Sequence, residues 1–433
     1  MHGGHDSENL ELGIEGLSKV EGHIDMEVKV TGGKVEYAKL KIPEAKRFYT
    51  QAVRGKPMQA IAQLVSRICG TCSMSHIFGC TKSIEDAIGL VPSEQTMTQR
   101  RLAMWAHLIR DHPLHLYFFV LPDLFDKGSV FDFTSPEEKK IIATALEIKA
   151  AGNNLSKMVA GRSIHAPWPV LGGFTQIPDR AKYPNMLHDL EHAREHSLEL
   201  LDVFYGCPWK FEHDTNYVAM VGPKFDYLSG DLVSSSGLKI AEKDFDKYAE
   251  RIWKDYSTAS AFLLQGKDYM VGSMSRLNLG KKFLHGQTQK DCAKQLVRFP
   301  SKNVYDNDLA QAIETIDSIN QAIDVLESTD FKPEAPVQPS RKDGTGFAVV
   351  EAPRGVLYYN VAIKEGKVQS MSVAIPTGQN QVRMEKDLEE MVQQQVDAGK
   401  DKDYIVHEME KLIRAYDPCM SCATHFLKVK WKK

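Results

Sequence analysis

The sequence predicts an α+β fold that is predominantly α. It reads as a long-helix bundle with small antiparallel sheets near the N-terminus and before a C-terminal cysteine motif. Three observations predict this. Long stretches rich in Leu, Ala, Glu and Lys carry apolar residues at helical spacing. Two shorter regions alternate apolar and polar residues around glycine turns. The chain of 433 residues, 42% of them apolar and with a formal net charge of -3, can bury a large core. That charge gives no reason to expect nucleic acid as a partner.

In chain order, Met1 to Asp6 has no basic region followed by an apolar run, and no stretch reaches the length of a membrane span. This favours a cytoplasmic location with no direct membrane span. From Ile24 to Ile42, Ile24, Met26, Val28, Val30, Val35 and Tyr37 alternate around Thr31-Gly32-Gly33-Lys34, the pattern of a hairpin. Helical spacing follows over Lys56 to Ser66, Ile77 to Ile88, Glu94 to Leu121, Pro136 to Val159, Asp179 to Tyr205, Glu242 to Leu264 and Asp308 to Leu326. The proline-rich stretch between Asp330 and Asp343 predicts an irregular crossing. Phe347 to Glu351, Val356 to Ile363 and Val368 to Ile375 read as a second antiparallel sheet with a turn at Glu365-Gly366. Two helices, Gln381 to Ala398 and Asp403 to Ala415, lead to Asp417-Pro418, where proline ends the helix and leaves Cys419 in a loop.

Seven cysteines in a chain of this length do not make a disulfide framework. Four of them form two pairs, Cys69-Gly70-Thr71-Cys72 and Cys419-Met420-Ser421-Cys422, with His76 and His425 shortly beyond. The first pair falls where one helix ends or another begins, and free N-H groups at a helix start stabilise thiolates. A single Cys-x-x-Cys serves zinc, iron-sulfur or dithiol chemistry equally. Zinc staples normally close over tens of residues, whereas these pairs lie at opposite ends of a chain that needs no staple. Four soft thiolates in a large core suit nickel, iron or an iron-sulfur cluster better. The alternatives are a plain zinc protein, or separate reduced cysteines. Cys80, Cys207 and Cys292 have no partners by spacing and read as buried small apolar groups.

Arg67-x-Cys69-Gly70-x-Cys72-x-x-x-His76 and Asp417-Pro418-Cys419-x-x-Cys422-x-x-His425 together closely resemble the paired signatures of the nickel-iron hydrogenase large subunit. Between them, Val20-Glu21-Gly22-His23, His112-x-x-His115 with Leu121-Pro122-Asp123, and Glu351-Ala352-Pro353-Arg354-Gly355 resemble further segments of the family. The resemblance covers essentially the whole chain. Its length and spacing are more similar to the soluble, multi-subunit branch than to the longer membrane-bound enzymes. A single large-subunit domain is expected over residues 1–425.

The resemblance implies a nickel-iron centre whose iron carries carbon monoxide and cyanide. Cys69 and Cys419 would be terminal nickel ligands, and Cys72 and Cys422 would bridge the two metals. Glu21 resembles the family's proton-relay glutamate, and of the terminal thiolates Cys419 is the one the resemblance favours as base; on its residues alone, Glu21 would be an ordinary surface carboxylate at a strand start. Arg354 would lie over the open metal position and donate to the cyanides, with Pro353 beside it and Thr377 meeting the other cyanide. Asp123 would pair with Arg354 and keep it aimed. His76 would donate to a bridging sulfur. Glu44 and His425 resemble the pair that holds a second, structural metal, magnesium or iron. His112 and His115 have the spacing of a metal pair but read as packed or proton-conducting residues. Lys19 stands where the family usually has arginine, which keeps the charge and loses the fork. The segment Thr377 to Asn380 is also less bulky than in many relatives.

The family's reaction is the reversible splitting of dihydrogen into two protons and two electrons. With four cysteines at the metals and three isolated, the electrons require an iron-sulfur small subunit, and further flavin or heterodisulfide-linked subunits are expected. A hydrogen-sensing regulatory subunit with the same metal site is the alternative. The related scaffold in respiratory complex I lacks the four cysteines and fits less well. Residues 426–433, a basic amphipathic tail, are expected to be removed after His425 on maturation.

Overall fold

Ser93 caps the first long helix by accepting the Thr96 N-H at 3.0 Å, and Ser135 forms a reciprocal capping box with Glu138 ahead of Pro136 at the start of the second. These signals open two of four long helices, Glu94–His115, Pro136–Ala160, Tyr183–Tyr205 and Asp306–Ser328, which pack in a ring, each against the next. Gly161, at φ 89°, ends the second. Gly152 permits the closest approach, since a Cβ there would sit 2.6 Å from the Arg110 backbone nitrogen of the neighbouring helix. The computed structural model describes residues 9–43 and 48–424.

The predicted helix over Glu94 to Leu121 is interrupted. Pro113 has no N-H to give, and beyond it the ladder shifts into a π turn, Leu116–Val120, before a short helix at Leu121–Leu124. The predicted hairpin is Asp25–Thr31 with Lys34–Lys41, turned by Gly32 and Gly33 at φ 57° and 74°. A third strand, Asn9–Ile14, adds to it antiparallel.

The second predicted sheet consists of Gly344–Ala352, Gly355–Lys364 and Lys367–Ala374. It packs on the helix Ser73–Ala87, and Gly346 is required there because a Cβ would fall 2.1 Å from the Ser83 carbonyl oxygen. The crossing between Asp330 and Asp343 carries no regular structure. Helices Pro376–Asp397 and Lys402–Ala415 complete the chain up to the second cysteine pair.

Two expectations are corrected. Lys56 to Ser66 is one short helix, Ile61–Val65, between two 3-10 turns. Glu242 to Leu264 is mostly a hairpin, Ala249–Trp253 with Ser260–Leu264, after a single helical turn at Phe245–Tyr248. Its aromatic and β-branched residues, Ile252, Trp253 and Phe262 among them, favour a pleated surface over a helix. A further sheet, Asn216–Val221 with Asp231–Ser234, Lys239–Ile240 and Tyr269–Met270, builds a second, smaller apolar core around Phe245 and Tyr358. No helix among the described residues is long and apolar enough to cross a membrane.

Candidate metal centre

Each cysteine pair is set at a helix start. Ile68 ends a 3-10 turn, Cys69 is extended, and Cys72 is the residue from which the helix Ser73–Ala87 begins. At the other end of the chain, Tyr416 closes a helix, Asp417 takes the left-handed conformation at φ 50°, and Cys419 precedes the short helix Met420–Ala423. Glu21 ties the second pair down: its carbonyl accepts the Met420 N-H at 2.9 Å and its carboxylate accepts the Ser421 N-H at 3.1 Å.

The four sulfurs converge. They lie within 4.8 Å of one another, with Cys69 and Cys419 3.4 Å apart and Cys419 and Cys422 3.1 Å apart. These are far beyond a disulfide bond of about 2.05 Å, so the four are free thiols. All four are buried. Burial pushes the Cys419 and Cys422 thiols well up, while hydrogen bonds from Cys419, Cys422 and Cys72 draw Cys69 well down. Four thiolates could not remain together in this core without a cation to neutralise them, and soft sulfur donors select a soft transition metal.

A small pocket, with room of about 10 Å³ for a water-sized molecule, adjoins Cys72, Cys419 and Cys422. Its wall combines apolar Ala352, Leu357, Ile375 and Pro376 with polar His76, Arg354 and Thr377. Arg354 sits with Pro353 in the two-residue turn between paired Ala352 and Gly355, where Gly355 has φ 122°. It donates to Asp111 and Asp417 at 2.9 Å each and to Cys72 Sγ at 3.3 Å. Its Nε is buried with no partner, a donor left over for a small anionic ligand. The Thr377 hydroxyl accepts the Cys419 N-H at 2.9 Å and keeps its own O-H to donate.

Glu21 Oε2 is 3.0 Å from Cys419 Sγ and Oε1 is 3.8 Å from Cys69 Sγ. Burial, and then the charge on Cys69, raise the Glu21 pKa above the usual carboxylate range. His76 places Nε2 3.5 Å from Cys422 Sγ and Nδ1 2.6 Å from the Tyr359 hydroxyl, which fixes its ring.

The expected pairing of Asp123 with Arg354 is corrected. Asp123 instead binds Lys19 and, at 2.7 Å, Arg414 Nη1. It follows the π turn, on the short helix Leu121–Leu124, whereas Asp111 lies before that turn within Glu94–His115. Arg414 also donates to the Ser18 carbonyl at 3.0 Å, so this cluster steadies the segment that leads to Glu21. Pro353 is not among the cavity-lining residues; its carbonyl accepts from Arg276 at 2.8 Å. His112 and His115 are packed, the first 3.0 Å from Glu314, the second 2.7 Å from both Gln311 and the Arg414 carbonyl. Cys80 and Cys292 are buried, but Cys207 is only partly so. Glu44, His425 and the tail 426–433 lie outside the described residues.

The sequence profile of the nickel-dependent hydrogenases matches residues 47–162 and 264–425 of this chain. The chain belongs to the nickel-dependent hydrogenase family. It is an oxidoreductase of that family and resembles its catalytic subunits. The alpha subunit of sulfhydrogenase 1 from Pyrococcus furiosus is 30% identical over 97% of this chain and 99% of its own length. One subunit of the F420-non-reducing hydrogenase from Methanothermobacter marburgensis is 26% identical over 96% and 95%. Among solved structures, an NAD+-reducing [NiFe]-hydrogenase in the H2-reduced state superposes with a TM-score of 0.87 over 96% of this chain and 99% of that one, at 20% identity. That likeness shows the fold. The four-cysteine cluster of this hydrogenase chain fits a nickel-iron site.

Asp111 and Asp417, the two carboxylates that hold Arg354, were not anticipated as partners. One signal was available for Asp111, the run Arg110-Asp111-His112 inside a helix with no polar face to carry it. Asp417 adjoins the cysteine motif itself.

Proposed function

We propose that this chain is the catalytic subunit of a nickel-iron hydrogenase that reversibly cleaves dihydrogen into two protons and two electrons. The observation that carries the reading is the Glu21 carboxylate 3.0 Å from Cys419 Sγ, a member of the four-sulfur cluster that also lines the pocket beside Arg354. Bound among these sulfurs, a nickel-iron pair supplies the soft, redox-active centre at which dihydrogen is polarised and split. Cys69 and Cys419 would hold nickel, and Cys72 and Cys422 would be shared between nickel and iron. The partly apolar pocket would keep water from the carbon monoxide and cyanide ligands, and Arg354 Nε and the Thr377 hydroxyl would be the donors to the cyanides. His76 donates to Cys422 and tempers its basicity. Cys419 accepts the proton and Glu21, whose raised pKa brings it toward working pH, carries it outward. Asp123 acts on this relay only through Lys19 and Arg414. Glu44 and His425 would hold a magnesium or iron ion.

The electrons leave through an iron-sulfur partner subunit. The remaining three cysteines form no second cluster among the described residues, which supports that need. The relatives are themselves named as subunits, which supports a larger assembly, with flavin or heterodisulfide-linked subunits beyond, in the cytoplasm. An infrared spectrum of the purified complex tests the centre: bands of metal-bound carbon monoxide and cyanide are expected, and their loss, with loss of dihydrogen activity, in Cys419→Ser. An active complex without such bands would overturn the assignment.

A further inference from the structure

The helices Pro136–Ala160 and Tyr183–Tyr205 run side by side in the bundle, and the second carries His188, His192 and His196 at every fourth residue, so all three share one face. Glu147 of the first helix reaches into this row. Its Oε2 lies 2.8 Å from His196 Nε2 and 3.8 Å from His192 Nδ1. The His192 and His196 rings are edge to face, with centroids 4.3 Å apart. Both ring nitrogens of His196 are shielded from solvent and make no hydrogen bond, so the close Glu147 oxygen is off the hydrogen-bond direction.

A hydrogen bond therefore does not account for this arrangement, but a shared cation does. Imidazole nitrogens and a carboxylate oxygen around a tetrahedral zinc ion, each at about 2.1 Å, stand about 3.4 Å from one another. The separations of 2.8 and 3.8 Å bracket that value. We propose that Glu147, His192 and His196 form a second metal site, unrelated to the four-sulfur centre, for a borderline divalent ion such as Zn2+. His188, in the same groove one turn away, is within reach of the open side. Two nitrogens and one oxygen suit zinc or another late first-row ion and disfavour Mg2+ and Ca2+, which prefer all-oxygen sites. His192 and Glu147 are each about half exposed, at 53% and 56%, so the ion keeps water in its remaining positions and exchanges freely. Bound, it cross-links two helices of the bundle and stabilises their packing.

The test uses the intact purified complex, stripped with EDTA and dialysed against Zn2+, beside His192→Ala and Glu147→Gln. Both substitutions are at half-exposed side chains and leave dihydrogen activity unchanged. The wild-type complex is expected to take up one more equivalent of Zn2+ than His192→Ala and to show a higher melting temperature with the ion than without it. Glu147→Gln is expected to weaken binding by more than about 100-fold, since loss of a supporting residue alone typically costs about 10–100-fold. Co2+ as a probe should give tetrahedral absorption bands in the wild type only. Equal zinc uptake by wild type and His192→Ala, or identical Co2+ spectra, would overturn the proposal whatever the state of the catalytic centre.

Discussion

Glu21, half-buried at the sulfur cluster, and Glu314, fully buried in the bundle, are carboxylates whose surroundings drive them in opposite directions. Glu314 receives Arg276 through Nε at 2.6 Å and Nη2 at 2.7 Å, with the Ser273 hydroxyl at 2.7 Å and His112 Nε2 at 3.0 Å. Burial alone would raise its pKa, but the guanidinium outweighs that and holds it down at about 2. The Glu21 carboxylate makes no ion pair among the described residues; its partners are the Cys419 and Cys69 thiols and one backbone N-H. Burial and the Cys69 charge leave it raised. A fully compensated carboxylate fixes structure, whereas an under-compensated one at a reacting sulfur can gain and lose a proton.

The largest effect that would break this comparison is kinetic. Glu21→Gln keeps size and the backbone ties to Met420, so the folded complex and its infrared bands are expected to persist. Proton exchange against dihydrogen should fall by about 10²- to 10⁴-fold, the usual range for loss of a positioned acid or base. Wild-type exchange in the variant would remove Glu21 from the relay. Glu314→Gln should do the reverse. It leaves Arg276 buried without its main counter-ion, a change that typically costs about 3–5 kcal/mol. A large drop in the melting temperature of the complex is expected, while exchange per folded molecule stays near wild type. A stable but inactive Glu314→Gln would make the two glutamates functionally alike and end the contrast.

The same contrast explains how far the sequence could be read. The helix ring was legible because each helix announces itself locally, as with Ser93 and Ser135 at the caps and long apolar periodicity behind them. The Ala249–Trp253 and Ser260–Leu264 hairpin was not, because its pairing is decided by packing against Arg251 partners and the C-terminal sheet rather than by local pattern. At the site, the cysteine pairs, Glu21, His76, Arg354 and Thr377 follow from motifs, and all of them gather at the cluster or its cavity. What motifs did not carry was who pairs with whom. Asp123 and Asp111 lie twelve positions apart around a π turn, and only the three-dimensional path of that turn gives Arg354 to one and Lys19 to the other. Arg276 has no motif at all, yet it grips Glu351, Ala352 and Pro353 and so sets the turn that presents Arg354.

Glu351 offers the smallest and most selective probe of that grip. It shares Arg276 with Glu314 and accepts the Met220 N-H at 2.7 Å, but burial and the nearby Glu314 charge prevail and its pKa is raised to about 7. With the folded value above the unfolded one of 4.5, the native state binds this proton more tightly. The stabilisation is therefore complete below the unfolded value and is lost as pH rises through about 7. Glu351→Gln retains an acceptor for Met220 and a neutral partner for Arg276, so at neutral pH it should cost only about 1–2 kcal/mol. Its signature is in the profile. Between about pH 5 and about pH 8 the melting temperature of the wild-type complex should carry a declining component that the variant lacks. If both profiles keep the same slope, Glu351 is ionised throughout, and Arg276 compensates two carboxylates rather than one.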